Sequence, residues 1–221
     1  MDALPAHFSP EAENSNGQPD AQGVMCSAER RQNARYQSIY RVAKLRLNAQ
    51  EHFCLVRNIS SDGLMLDLYS PCAIGDTVSI DIKFNRTVVG KVVWAEGSGT
   101  GVQFDEPIDV YDVLARDHHA VKGWVPRSPR LNLACPARLR LGPTYHRVEI
   151  CDISQGGVRI CFESETQIND QIVLMLDGLP ALEGVIRWQQ NQNVGIAFNR
   201  PIALAALAEW VSQTHSTLLN G

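Results

Sequence analysis

Asp76–Ile108 reads DTVSIDIKFNRTVVGKVVWAEGSGTGVQFDEPI, and Asp170–Ile202 reads DQIVLMLDGLPALEGVIRWQQNQNVGIAFNRPI. At a constant offset of 94 residues the two stretches share Asp76/Asp170, Gly90/Gly184, Trp94/Trp188, Gly101/Gly195, Phe104/Phe198, Pro107/Pro201 and Ile108/Ile202. The same offset holds upstream for Ile59/Ile153, Ser60/Ser154 and Gly63/Gly157, and Leu45/Leu139 and Leu47/Leu141 carry it further back. Gapless agreement of this kind means duplication. The 221 residues therefore hold two domains of one fold rather than one large domain.

Within each copy, apolar residues alternate along short segments, as in Val78, Ile80, Ile82 and Phe84, with turn residues every eight to twelve positions. That pattern predicts antiparallel strands closing into a small barrel. Strands are expected near 39–47, 52–59, 64–69, 76–84, 87–95 and 100–104, and again 94 residues later. Pro107 and Pro201 sit where a helix would start, since proline presets φ and lacks only an N–H that the first turn leaves unpaired. Helices over about 107–120 and 201–214 would then follow the two barrels. The segment from Lys122 to Pro129, with Gly123 and Pro126, reads as the linker. The expected organisation is a disordered tail over 1–27, a first domain over 28–122 and a second over 123–221. The fold class is all-β with flanking helices: two consecutive six-stranded antiparallel barrels, each followed by a C-terminal helix.

The composition is that of an ordinary globular chain, and no apolar run approaches the roughly 20 residues that cross a bilayer. Met1–Gly23 has neither a basic nor an apolar signal-peptide region, which points to a cytoplasmic protein with no membrane insertion. The six cysteines form no C-x-x-C pair or zinc-ligand spacing and read as reduced thiols. Adjacent His118 and His119 would diverge on a helix and read as a solvated helix end. A net charge of −4 argues against DNA or RNA as a partner, because such binding neutralises many phosphates. Yet Arg30, Arg31, Arg35, Arg41, Lys44 and Arg46 crowd into the stretch from Glu29 to Arg46 against one acid. A local basic cluster in an acidic chain suits a small anion.

Two segments of the first copy stand out, Arg30-Arg31-Gln-Asn-Ala-Arg35 and Asn58-Ile-Ser60-Ser-Asp-Gly63. Here the chain resembles the PilZ family, whose pattern is R-x-x-x-R followed some twenty to thirty residues later by D/N-x-S-x-x-G. The resemblance spans both copies and implies a tandem barrel protein of the cyclic di-GMP receptor type. It assigns binding to Arg31, Arg35, Asn58, Ser60 and Gly63, with Arg30 assisting. The chemistry agrees with that assignment. Arginine pairs bidentately with phosphate or a guanine edge and stacks on a purine. Asn58 and Ser60 offer donors and acceptors, and Gly63 permits positive φ or close backbone approach. Taken singly, each segment is also explained as a solvated charge run or an ordinary turn. The pairing at the proper separation is what carries the reading. Trp94 and Trp188, in alternating strands, read as core.

The second copy keeps Asp152-Ile-Ser154-Gln-Gly-Gly157, but Arg31 and Arg35 fall on Val125 and Pro129. Arg127 and Arg130 lie nearby at the wrong spacing, among prolines that restrict the backbone. Arg127, Arg130, Asp152, Ser154 and Gly157 are thus expected to form a weak second site or none. With no nucleophile motif, phosphate loop or paired carboxylate motif, the expectation is a non-enzymatic receptor needing no cofactor beyond its ligand. It would act on a protein partner the sequence does not name. The alternative is a ligand-independent PilZ-like interaction module.

Overall fold

The computed structural model describes residues 39–83, 86–114 and 128–219. The tail, Arg30, Arg31, Arg35, Arg127, the adjacent histidines and most of the linker lie outside the described residues. The first six strands are β1 (Arg41–Leu47), β2 (Gln50–Ile59), β3 (Gly63–Leu68), β4 (Thr77–Lys83), β5 (Arg86–Glu96) and β6 (Gly99–Phe104). They close in the order β1-β2-β3-β6-β5-β4. After α1 (Val110–Leu114), the second set is β7 (Leu131–Leu141), β8 (Thr144–Ser154), β9 (Gly157–Cys161), β10 (Gln171–Met175), β11 (Leu182–Gln190) and β12 (Asn193–Phe198). It closes in the same order, and α2 (Leu204–Leu219) follows. Two closed antiparallel barrels in tandem are therefore present, with neighbouring strands paired antiparallel throughout.

Strand periodicity builds each interior. Along β7, Leu131, Leu133, Cys135, Ala137 and Leu139 are buried and their neighbours exposed, the period-two pattern of a wall with one dry face. The five described cysteines are free thiols. Burial pushes the Cys54 thiol up to about 12, although its hydrogen bond to the Ala43 carbonyl acts the other way.

The helices differ from expectation. Among the described residues the first barrel is followed only by the five-residue α1, and a C-terminal helix of the expected kind is found after the second barrel alone. Both helices also begin later than Pro107 and Pro201 suggested. The Ile108 N–H donates to Ser61 O at 2.8 Å and the Ile202 N–H to Gln155 O at 2.8 Å, tying each proline segment across a strand turn as extended chain. Asp109, not the residue before Pro107, caps α1 by accepting from the Tyr111 and Asp112 N–H groups.

α2 buries Leu207, Ala208, Trp210 and Val211, and Trp210 donates its indole N–H to Asp177 O at 2.8 Å. It also reaches the first barrel's β2. Phe53, on β2, is 1% exposed and belongs to the apolar cluster of the second barrel, with Val42 and Tyr69 packed beside it. His52 meets His215 of α2 edge to face, ring centroids 5.2 Å apart. Glu51 completes the joint by accepting from the Asn132 backbone N–H at 2.9 Å and its side-chain amide at 3.3 Å. Burial alone would raise the Glu51 carboxyl, but the Lys44 ammonium at 2.8 Å and the Asn132 N–H hold it below the usual carboxylate range.

Burial, and secondarily the facing His215, lowers His52 to about 4, and burial lowers His215 as well, against the pull of Glu51. Both rings are thus neutral in the joint and must charge when released. Between the ordinary histidine value of about 6.5 and the lowered ones, the unfolded chain binds more protons than the folded one, so stability falls as pH drops through that window. Urea midpoints should fall from pH 7 to pH 4.5, and a His52→Leu variant should show a shallower fall over the same range.

Candidate ligand site

The candidate residues of the first barrel gather where β2 turns into β3. The Ser60 N–H and Oγ both donate to Gly63 O, at 2.8 and 3.0 Å, closing the turn. The Phe104 N–H donates to Asp62 O, and the proline segment lies over Ser61. Gly63 does not adopt positive φ. A Cβ there would collide with the Val102 carbonyl oxygen, so glycine is required by the close approach of β6. The second barrel repeats the arrangement: Ser154 Oγ donates to Gly157 O at 3.1 Å, and a Cβ at Gly157 would strike the Ile196 carbonyl. Ser60 and Gly63 thus build the turn that carries the motif.

The strand register shifts just before the first motif residue in both barrels, between Val56 and Asn58 and between Ile150 and Asp152. A bulge inserts one residue and flips those that follow to the other face. Buried Cys54 and Val56 would put Asn58 inside by strict alternation. With the bulge, Ile59 is inside and Asn58 is half-buried outside it, its amide nitrogen 3.8 Å from the Met65 sulfur. Beside it Arg57 donates to Asp67 at 2.8 Å and stacks on Tyr40, 4.9 Å from the ring centroid.

A second pair of bulges overturns the reading of the tryptophans as core. Register shifts between Val92 and Trp94 and between Ile186 and Trp188 turn both indoles outward, 39% and 38% exposed. Each ring lies over a bare glycine, Gly101 or Gly195, where a Cβ would collide with it. The sequence held the signal for this. Val92-Val93 breaks the alternation, and each tryptophan precedes its glycine by the same seven residues. An exposed indole face fixed against a strand is a surface on which a purine or a guanidinium can stack.

In the second barrel Asp152 is 8% exposed, with Oδ1 held by Arg130 at 2.8 Å and Oδ2 by Arg159 at 2.5 Å. The bond to Asp152 raises the Arg159 guanidinium above its ordinary value. Arg130, Ser154, Arg187 and Trp188 line an open cavity of about 280 Å³. Among the described residues no group of three or more His, Cys, Asp or Glu could hold a metal, and no helix is long and apolar enough to cross a membrane.

The PilZ domain family matches residues 29–117 and 126–213, which together are most of the chain. The chain belongs to the PilZ family. Solved structures similar to this PilZ protein include Borreliella burgdorferi PlzA in complex with c-di-GMP, at 13% identity and TM-score 0.37, covering 84% of this chain and 95% of that one. Escherichia coli YcgR in complex with c-di-GMP follows at 14% and 0.28, covering 82% and 84%. The K. pneumonia MrkH–c-di-GMP complex stands at 11% and 0.30, covering 82% and 86%. No curated protein matches the chain.

The turn geometry separates building roles from binding roles. Gly63→Ala should destabilise the first barrel by about 1–3 kcal/mol, the usual cost of overpacking. Asn58→Ala, removing a side chain whose only hydrogen bond among the described residues is the long contact to sulfur, should shift the urea midpoint far less.

Proposed function

We propose that the chain is a non-enzymatic receptor for cyclic di-GMP, with the ligand bound at the β2–β3 turn of the first barrel by Arg31, Arg35, Asn58 and Ser60, and Arg30 assisting. The observation that carries the reading is the state of Asn58. The bulge presents its amide outward beside the motif turn, and the neighbouring ion pair is Arg57 with Asp67. Chain geometry agrees. The Ile39 N–H donates to Arg57 O at 2.7 Å, beside Asn58 in sequence, and Arg35 lies only four residues before Ile39. Four residues span at most about 14 Å, a length that would let that arginine reach the turn. Two phosphates would supply the counter-charge for the arginines, while Asn58 engages a guanine edge and the Trp94 face offers a stacking surface.

On this reading residues 28–122 form the receptor domain, 123–221 a second domain with a degenerate arginine motif, and 1–27 a tail. Ligand fastening the 28–37 segment to the barrel would change the surface presented to a protein partner. A second reading applies to the second barrel, where Asp152 already holds two arginines and where α2 packs on the first barrel. That barrel fits a ligand-independent interaction module.

Calorimetric titration of the full chain tests the proposal. Cyclic di-GMP should bind the wild type, and Arg31→Ala with Arg35→Ala should weaken binding by about two to four orders of magnitude, because each lost charge-assisted hydrogen bond contributes roughly 1.5–3 kcal/mol. Hydrogen exchange over 28–37 should slow on adding ligand. An equal loss from Arg127→Ala with Arg130→Ala would move the site to the second barrel.

A further inference from the structure

β1 and β7 are equivalent strands at the offset of 94, but the charges on their outer faces are not balanced alike. On β1, Lys44 and Arg46 are neutralised by one acid from each neighbouring strand. Lys44 lies 2.8 Å from Glu51 of β2 and 3.5 Å from Asp81 of β4, and Arg46 lies 3.4 and 3.2 Å from the same carboxylates. On β7 the cations are kept as Arg138 and Arg140, both exposed, while Tyr145 replaces Glu51 and Met175 replaces Asp81. Phe53 is replaced by Arg147, which stands directly opposite Arg138 in the β7–β8 ladder. Among the described residues the ion pairs of the second barrel are those of Asp152, and none engages Arg138, Arg140 or Arg147. Where the first barrel has two cations closed by two acids, the second has three cations and neither acid.

Like charges directly opposite one another weaken a strand pair, so Arg138 and Arg147 work against the fold unless an anion joins them. We propose that the outer face of β7, β8 and β10 around Arg138, Arg140 and Arg147 is a docking surface for an acidic segment of a protein partner. This rests on the reading of the second barrel as an interaction module and is independent of ligand binding by the first. Arg138 and Arg140 alternate on one face, so they stand about 7 Å apart, the spacing of every second residue in an extended peptide. Arg147 is about 5 Å across the ladder from Arg138. Carboxylates at alternate positions of a partner strand can therefore meet successive guanidiniums, each able to pair bidentately. Tyr145 and Met175, standing where the first barrel has its acids, add apolar contact, and Arg, Tyr and Met are the residues enriched at protein interfaces. A nucleic-acid backbone fits less well, because it needs a longer basic stripe. Glu183 lies beyond Val173 in the row that starts at Arg140, and Glu149 and Glu163 line the open groove beside Arg147. Acids so placed bound the patch and repel a run of phosphates.

The test uses the full chain and a short fluorescent peptide of alternating Glu and Ala residues, read by anisotropy, with the Gln counterpart of the peptide as control. The Glu peptide should bind the wild type and the Gln peptide should not. Arg138→Ala with Arg140→Ala should weaken binding by about tenfold or more, as the loss of charge-assisted contacts requires. A second variant, Tyr145→Glu with Met175→Asp, keeps every arginine and restores the acids of the first barrel; it should weaken binding as much, by closing the cluster on itself. Circular dichroism checks that both variants fold, and their affinity for cyclic di-GMP should match the wild type's. Equal binding of the Glu peptide by the wild type and both variants overturns this surface and leaves the second barrel an interaction module through another face. No binding of the Glu peptide, or equal binding of the Gln peptide, overturns the proposal. Stronger binding of a fluorescent DNA duplex or of anionic phospholipid vesicles, lost in the same variants, would assign the face to phosphates and remove the interaction-module reading with it.

Discussion

The candidate site depends on a packing constraint inside each barrel. A barrel of six strands has room only for the inward half of its residues, and strict alternation would consign every second side chain of β2 and β5 to that interior. The bulges break the rule at chosen places. One extra residue before Asn58 and another before Trp94 put an amide and an indole on the outside of a wall whose inner face stays apolar through Ile59 and Val92. Without those insertions Asn58 would need a buried partner for its amide, and Trp94 would demand volume that the interior, filled by Leu45, Leu66 and Ile80, does not have.

The duplication, the six strands per copy and the family were legible in the sequence because they rest on period and offset, which survive substitution. Some strands begin two residues earlier than expected because hydrogen bonding extends past the apolar pattern, as at Leu131 and Gln50. The tryptophans were misread because a bulge leaves no composition signal beyond a doubled apolar residue. The helix starts were misread because Pro107 and Pro201 serve extended segments pinned to the motif turns, a tertiary demand that local propensity does not carry. Of the candidate site, the turn residues were legible. The placing of Asn58 against Met65 and of Asp152 against Arg159 was not, since it needs the cross-strand register.

The joint between the barrels joins apolar burial to a few polar contacts. Phe53 supplies burial, and Glu51 adds direction by joining Lys44 of its own barrel to the first residues of β7. Asn132, which Glu51 holds, lies opposite Asp152 in the β7–β8 ladder, two residues from Arg130. The wall of one barrel therefore fixes the strand that leads into the motif corner of the other.

The surface that makes this joint is not repeated on the second barrel. The face of the first barrel that receives α2 offers Glu51, His52 and Phe53; the corresponding positions of the second barrel are Tyr145, His146 and Arg147. Arg147 is exposed where Phe53 is buried, so the second barrel offers a further unit a hydrated cation in place of an aromatic plug. The contact between the barrels is therefore one-sided: a single aromatic-to-cation difference in the duplicated strand leaves that face of the second barrel hydrated where the first barrel's is plugged.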